Sequence, residues 1–546
     1  MKNKIKILVL LVLVLSINAS QKTDSDYFEI SKNLKLMASV YEKLNDFYVD
    51  EVLPGRVMKK GIDAMLKSLD PYTVYISESQ IEDFKFTTTG EYGGIGASIK
   101  KINGKIVISE IFENSPAQTA GVEIGDNLLQ IDKTIVKDKS LNEIGGLLKG
   151  PSESIVSIKV KRDNFIETFK IKREDIQIPA VSYYNKINES TGIIKLNSFT
   201  NTASEEFKKA FQELLGKKTE NLIIDLRSNG GGLLNEAVKI VNLFIPKGKL
   251  VVSTKSRIEQ MNRSYFTTNK PIDTKIPIVV LIDEMSASAS EIVAGSLQDL
   301  DRAVIIGNTS YGKGLVQQTK QVSFGGQIKL TVAKYYTPSG RCIQKIDYSS
   351  FEGKSKKIVD SLVQTFRTNN GRKVVDSRGI EPEIKIEPEY FSAITELLLS
   401  ESIIFEFINN NIYKYKNDSI YPSSFSIQES FYNEFVDFVF KKEVKYQTAS
   451  HFHLEELKQV AIKEKYLKEN KKLFSIMDSV FKTNVKEDLT KHKKEIKFLL
   501  ENEIISRKHF HKGRVEASLK QDPYILNAEK LFKDKESYYE ILGFKE

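Results

Sequence analysis

A single cysteine, Cys342, stands among 546 residues, so no intrachain disulfide can form and each domain must rest on a packed core. Tryptophan is absent altogether. Histidine is scarce and misplaced: His451, His453, His492, His509 and His511 all fall in the last fifth of the chain. Any catalytic arrangement built from the central region must therefore do without imidazole, and a Ser-His-Asp solution is excluded there. The pairs His451/His453 and His509/His511 have no cysteine or clustered carboxylate around them, and alternate residues on a helix face different ways. Neither a metal nor an organic cofactor is expected. No Lys/Arg run is interleaved with aromatics in the central region, and a net charge of +9 is thinly spread, so a nucleic-acid partner is not expected. Past the first residues nothing reads as a membrane span.

Apolar content of 40% and charged content of 28% are those of a soluble globular protein, and the length predicts three or four domains. The chain opens on a basic leader, Met1 to Lys6, followed by unbroken Ile, Leu and Val from Ile7 to Leu15. That run is shorter than the ~20 residues a membrane helix needs. It reads as a signal peptide over residues 1–20, with cleavage near Ala19 or Ser20, and hence as export to the periplasm or cell envelope of a bacterium. An uncleaved anchor, which would associate the chain with a membrane, is the alternative. No cysteine lies near residue 20, which excludes lipid attachment there.

The chain is organised around residues 278–318. Ile278 to Ile282 is a short buried strand. Ser286-Ala-Ser-Ala-Ser-Glu291 follows, and Ser288 with Glu291 three residues on marks a helix start. Unpaired amides and a positive helix end stabilise an oxyanion at such a place. A second strand, Ala303 to Ile306, leads to Tyr311-Gly-Lys313-Gly-Leu-Val-Gln317. Without histidine, a serine needs another base. A lysine whose amine is desolvated can serve, because burial lowers its pKa from ~10.4. Ser286 and Ser290 remain candidates beside Ser288, and all three could equally be caps or packing residues.

These segments, with Lys334-Tyr-Tyr-Thr-Pro-Ser-Gly340, resemble the carboxy-terminal processing peptidases, or tail-specific proteases. The resemblance implies that Ser288 is the nucleophile, Lys313 the general base and Gln317 its supporting residue, all at the family's intervals. It further implies an oxyanion hole from the amide of Ala289 and one of Gly230 or Gly231, within Ser228-Asn-Gly-Gly-Gly232. The core is expected to have the crotonase-like α/β protease fold of that family, spanning residues 176–390. Arg378-Gly-Ile-Glu-Pro382 matches the family's closing segment with Glu where Asp is usual, and residues 347–378 read as an insertion.

Upstream, Tyr92-Gly-Gly-Ile-Gly-Ala-Ser98 enters an alternating strand, and Ser115-Pro-Ala, Gly121-Val and Gly125-Asp follow. This series resembles a PDZ domain over residues 83–175. Gly94, Ile95, Gly96 and Ala97 would form its carboxylate-binding loop, since glycines let consecutive amides converge on an anion. Residues 21–82 form a helical arm, which the family resemblance suggests as a homodimerisation element. Residues 391–546 form a helical extension that the motifs do not explain. The whole implies an exported serine endopeptidase that binds polypeptide C-termini. The rival is an inactive PDZ scaffold or chaperone of the cell envelope.

Overall fold

The computed structural model describes residues 27–348 and 356–544. Residues 1–20, read above as a signal peptide, lie outside them. Helix α1 (27–47) comes first, then α2 (Pro54–Lys67), with Pro54 pre-set for a first helical turn. Tyr27, Phe28, Leu34 and Val40 on α1 are each at least 60% exposed, so its apolar stripe has no cover among the described residues. Leu69-Asp-Pro-Tyr72 ends this arm and leads into β1 (Val74–Ile76) and α3 (Ile81–Thr89).

The next unit runs β2 (Glu91–Gly94), β3 (Ala97–Ile102), β4 (Lys105–Ile111), α4 (Pro116–Thr119), β5 (Asn127–Ile131), β6 (Thr134–Ile135), α5 (Leu141–Leu148), β7 (Ile155–Arg162), β8 (Phe165–Lys172) and β9 (Glu174–Gln177). Its main sheet has the order β3-β4-β5-β7-β8, with β6 on β5, while β2 pairs with β9. Ile106, Ile108, Leu128, Val156, Ile158 and Val160 fill its core at alternate positions, the period of strands with one buried face. Strand β3 is an edge strand, paired only with β4.

The central unit runs β10 (Val181–Lys186), β11 (Thr191–Leu196), α6 (Ala203–Gly216), β12 (Asn221–Asp225), α7 (Leu234–Asn242), β13 (Leu250–Lys255), β14 (Arg263–Phe266), β15 (Ile278–Ile282), α8 (Ala289–Asp299), β16 (Val304–Gly307), β17 (Leu315–Gln321) and β18 (Gln327–Tyr336). One sheet has the order β10-β11-β12-β15-β16 and ends on the short strand Ile384–Lys385. It is parallel from β11 onward, so both faces are covered, and the middles of its strands are apolar. A second sheet has the order β1-β18-β13-β14, with β17 on β18, and so includes the strand that closes the N-terminal arm.

The two faces of the parallel sheet are covered from different parts of the chain. Leu222, Ile224, Ile278 and Val280 pack against α6, α7 and α8 through Phe207, Phe211, Ile240 and Val293. Ile223, Val279, Leu281 and Val304 point the other way, onto Ile525, Ala528, Leu531, Phe532 and Tyr538. Those residues belong to the helices Pro523–Lys533 and Lys535–Ile541. A division at residue 391 assigns them to the extension, yet they form the back layer of the central sheet. Tyr538 also hydrogen-bonds Ile278 of β15 through its hydroxyl.

The rest of the extension has its own core. Helices α9 (Ala393–Ser400), α10 (Ile403–Asn411) and α11 (Glu429–Lys441) pack with the long helix Lys493–Leu519 around Phe407, Phe431, Phe435, Leu500 and Ile504. Among the described residues, no helix is long and apolar enough to cross a membrane.

Candidate active site

Ser288 is the last residue before α8, where the chain leaves the buried strand β15. Its backbone sits at φ 57°, ψ −112°, outside the helical and extended wells. A non-glycine residue held there is strained, and such strain persists only where the surroundings over-determine it. Two supports are visible. The Ser288 amide donates to Glu291 Oε2 at 2.8 Å, and its carbonyl accepts from the Tyr335 hydroxyl at 3.2 Å.

The three serines of the run differ in what their hydroxyls do. Ser286 Oγ donates to the Leu226 carbonyl at 2.8 Å, and Ser290 Oγ to the Asn229 carbonyl at 2.8 Å. Both residues are fully buried. Ser288 is partly exposed, and its hydroxyl donates to no acceptor among the described residues.

Glu291 gathers the site. Its carboxylate, fully buried, accepts from Ser310 Oγ at 2.5 Å and from the amides of Gly312 at 2.7 Å and Lys313 at 2.9 Å, besides that of Ser288. The Ser288 and Lys313 amides share one oxygen, Oε2, so the two residues stand side by side across the helix start. Burial pushes the Glu291 carboxyl up, and the four donors pull it back.

Lys313 follows Gly312 in the turn leading into β17. Its amine lies 4.4 Å from the centre of the Tyr72 ring, and neither a hydrogen bond nor an ion pair ties it to a described residue. Desolvation, helped by the charge of Lys329, pushes its pKa down to about 8, against the opposing pull of Glu291 and Asp70. The amine therefore does not touch Ser288 Oγ in this conformation. Catalytic hydrogen bonds commonly tighten only when substrate is bound.

Gln317 lies on β17, and its amide donates to Thr331 Oγ1 of β18 at 3.3 Å, not to the lysine. The Thr331 amide in turn donates to Thr73 Oγ1, and Thr73 is bound to Asp70. So Leu69-Asp-Pro-Tyr72, legible in the sequence only as a helix end, delivers an aromatic face to Lys313. The Tyr72 hydroxyl meets that of Tyr311 at 3.2 Å. Neither Tyr72 nor the gathering role of Glu291 was found by spacing alone. The signal available was an acidic residue inside an otherwise buried helix start.

The glycine stretch after β12 packs directly on the serine loop. Ala287 N donates to the Asn229 carbonyl at 3.0 Å. A Cβ on Gly231, whose φ is +98°, would stand 2.8 Å from Ser288 Cβ and 2.9 Å from Ala289 N. The Gly231 amide is already taken by Asn229 Oδ1 at 2.9 Å. The amides of Gly230 and Ala289 have no acceptor among the described residues.

In the upstream unit, Gly96 has φ +72° and the loop carbonyls are tied inward, Ile95 O to Ala117 N and Gly96 O to Phe112 N. The amides of Ile95 and Gly96 have no acceptor among the described residues, and Ala97 begins edge strand β3. Gly94 closes β2 opposite Glu174. Among the tail histidines, His451 lies with Glu455 and Asp478, and Lys458 ion-pairs with both carboxylates, so a cation already bridges them.

Three family profiles match consecutive parts of the chain: a PDZ domain over residues 93–172, peptidase family S41 over 190–350, and the C-terminal helical domain of probable PDZ-proteases over 394–532. A probable CtpA-like serine protease of Staphylococcus aureus (strain bovine RF122 / ET3-1) is 35% identical over 332 residues, covering 60% of this chain and 64% of that protein. One of Staphylococcus epidermidis is 35% identical over 314 residues, covering 57% and 63%. The chain thus spans somewhat under two thirds of these relatives. The solved photosystem II D1 C-terminal processing protease aligns at 25% identity over 65% of this chain and 93% of its own, with a TM-score of 0.35.

Proposed function

We propose that this chain, whose residues 190–350 are a peptidase family S41 domain set between a PDZ domain and a C-terminal helical domain, is a serine endopeptidase that cleaves polypeptides captured by their C-termini. One observation carries the reading. A partly exposed serine whose hydroxyl donates to no described residue and a desolvated lysine amine are anchored through their amides to the same buried carboxylate oxygen.

In this reading the neutral Lys313 amine takes the proton of Ser288 Oγ, which attacks the scissile carbonyl. The amides of Gly230 and Ala289 receive the developing oxyanion. The lysine ammonium then gives its proton to the leaving amine, and an ester to Ser288 remains. Lys313 next takes a proton from water, which attacks the ester, and returns it to the departing Ser288 Oγ as the acid product leaves. Gln317 orients the amine once Lys313 swings from Tyr72 toward Ser288. The substrate's terminal carboxylate sits on the loop Gly94–Ala97, and its chain adds to the free edge of β3.

The test is digestion of an unstructured protein bearing an apolar C-terminal tail. Ser288→Ala should cleave nothing while melting as the wild type does. Lys313→Arg should be equally inactive, because a guanidinium stays protonated. A folded Lys313→Arg enzyme with near-normal turnover would remove lysine from the mechanism. Inactivity of the wild type itself would favour the scaffold or chaperone reading.

Export to the periplasm or cell envelope is part of the same proposal and rests on the leader of residues 1–20. An uncleaved leader would tether the enzyme to the membrane; the size of the mature chain in an envelope fraction distinguishes the two. The exposed apolar stripe of α1 supports a homodimer through the arm. Sedimentation of the chain with and without residues 27–47 reads it, and an unchanged mass would sink the idea.

A further inference from the structure

The helical extension does not merely follow the peptidase domain; it presses on the PDZ domain. Asn103 Nδ2 donates to Glu406 Oε2 at 3.0 Å, and Lys442 holds the same carboxylate at 2.9 Å. Lys512 pairs with Glu113 at 3.0 Å. Gly125 has φ +99°, and a Cβ there would stand 1.7 Å from Asn409 Oδ1, so the two surfaces meet at backbone distance.

Beside this contact a cleft of ≈ 320 Å³ stays open between the two domains. Its floor is the start of β3 and its partner β4, including Ser98, Lys100 and Glu110; its far wall is Leu398, Leu399 and Phe405 of the helical extension. Leu399 is 40% exposed there. Behind the wall, Arg507 stacks its guanidinium 5.1 Å from the Phe405 ring centre and binds Glu503, and its Nε and Nη2 have no partner among the described residues. Phe405 is thereby fixed in place.

The cleft shares Ser98 and Lys100 of β3 with the route assigned above to a bound tail. Strand β3 has one unpaired edge, and the loop Gly94–Ala97 stands at its beginning. A tail whose carboxylate rests on that loop runs antiparallel to β3, and each of its residues advances about 3.3 Å. Ser98 and Lys100 then lie beside the second to fourth residues from the tail's end. Side chains on an added strand alternate between two faces. One set meets α5 and the PDZ core; the other set looks out over the cleft.

We propose that this cleft receives the penultimate part of a substrate tail, placing an apolar side chain against Leu399 and Phe405, so that the helical extension takes part in choosing substrates. The occupant is an extended C-terminal segment of a polypeptide, apolar at the position facing the extension. This rests on the tail-binding reading given above, and the experiment separates the two.

Full-length Ser288→Ala protein is titrated with fluorescent peptides by anisotropy. The peptides share one apolar terminal residue, carry Leu or Ser at the second and third positions before it, and are made as free acids and as amides. The Leu tail should bind more tightly than the Ser tail by about fivefold, the worth of partly burying one side chain. Adding Leu399→Ser should erase that difference; Leu399→Met should keep it. If the Leu/Ser ratio survives Leu399→Ser while acids still bind better than amides, this inference falls and the tail-binding reading stands. If Leu399→Ser weakens both tails equally, the cleft is only interdomain packing and the inference falls. If acids and amides bind alike, the tail-binding reading fails and takes the inference with it.

Discussion

Lys313 has another amine in its surroundings, that of Lys329, whose charge adds to the desolvation that lowers the Lys313 pKa to about 8. A general base must be unprotonated to act, so cleavage should rise with pH through that region. Lys329→Met removes one of the two causes. The Lys313 pKa should then move up, and the rising limb of the rate profile should shift to higher pH with the plateau unchanged. An unshifted limb would show that Lys313 does not feel Lys329. Glu291 belongs to the same scale. Glu291→Gln places an amide NH₂ among four donors in a fully buried site, leaving at least one of them unpaired, at about 1–3 kcal/mol. The prediction is a lower melting temperature together with a loss of turnover larger than any loss of substrate affinity. A variant with normal turnover would confine Glu291 to capping the helix. Ser288 and Lys313 are singled out in the sequence by the family's intervals; the scarcity of histidine only excludes an imidazole base there and leaves Ser286 and Ser290 open. Tyr72 is not singled out, because its approach to Lys313 joins segments more than two hundred residues apart, and nothing in Leu-Asp-Pro-Tyr announces that meeting.

Helix α8 carries Ser288 at one end and is anchored at the other. Asp299, its last residue, accepts from Thr337 Oγ1 at 2.5 Å, Ser339 N at 3.0 Å and Arg341 Nη2 at 2.7 Å. The Tyr-Thr-Pro-Ser-Gly segment thus clamps the far end of the helix that begins after Ser288. Asp299 and Arg341 are both buried, and removing one partner strands the other's charge. Asp299→Ala should cost about 3–5 kcal/mol, read in chemical denaturation, and the pair Asp299→Leu with Arg341→Met should recover much of it. Failure of the double variant to improve on the single would show that the pair specifies geometry beyond its charge. At this scale the sequence is informative: the all-apolar runs of β12 and β15 and the helix-start signal at Ser288 correspond to observed elements. The pairing of β17 with β18, and of β18 with β1 from the arm, is not in any local pattern. Register between distant strands is set by tertiary packing, to which periodicity is blind.

For the whole molecule, the outer limit of the catalytic unit is what local patterns miss. The helices after residue 523 look like more of a Lys/Glu-rich extension, because their apolar faces say only that something must cover them. What covers them is the back of the parallel sheet. Phe532→Ala, far from Ser288, should cost about 3–5 kcal/mol and shorten the active lifetime on heating. Retention of full thermal stability would mean that this layer is dispensable. Burying a large apolar side chain is worth about 1.5–3 kcal/mol, so Ile525, Leu531, Phe532 and Tyr538 together match the ~5–15 kcal/mol that holds a typical domain folded.

That back layer also sets a clock. Ile223 and Ile525 meet in one core, yet some three hundred residues are synthesised between them. At about 5–20 residues per second, the sheet that carries the Ser288 and Lys313 loops waits roughly 15–60 s, after its own strand β12 has emerged, for the helices that seal it. During that interval the ribosome holds a chain whose Ser288 and Lys313 loops stand on a sheet with no finished back layer. On the proposed function, nascent proteins nearby are spared, and a chain exported as proposed would reach its channel while still loose enough to be threaded.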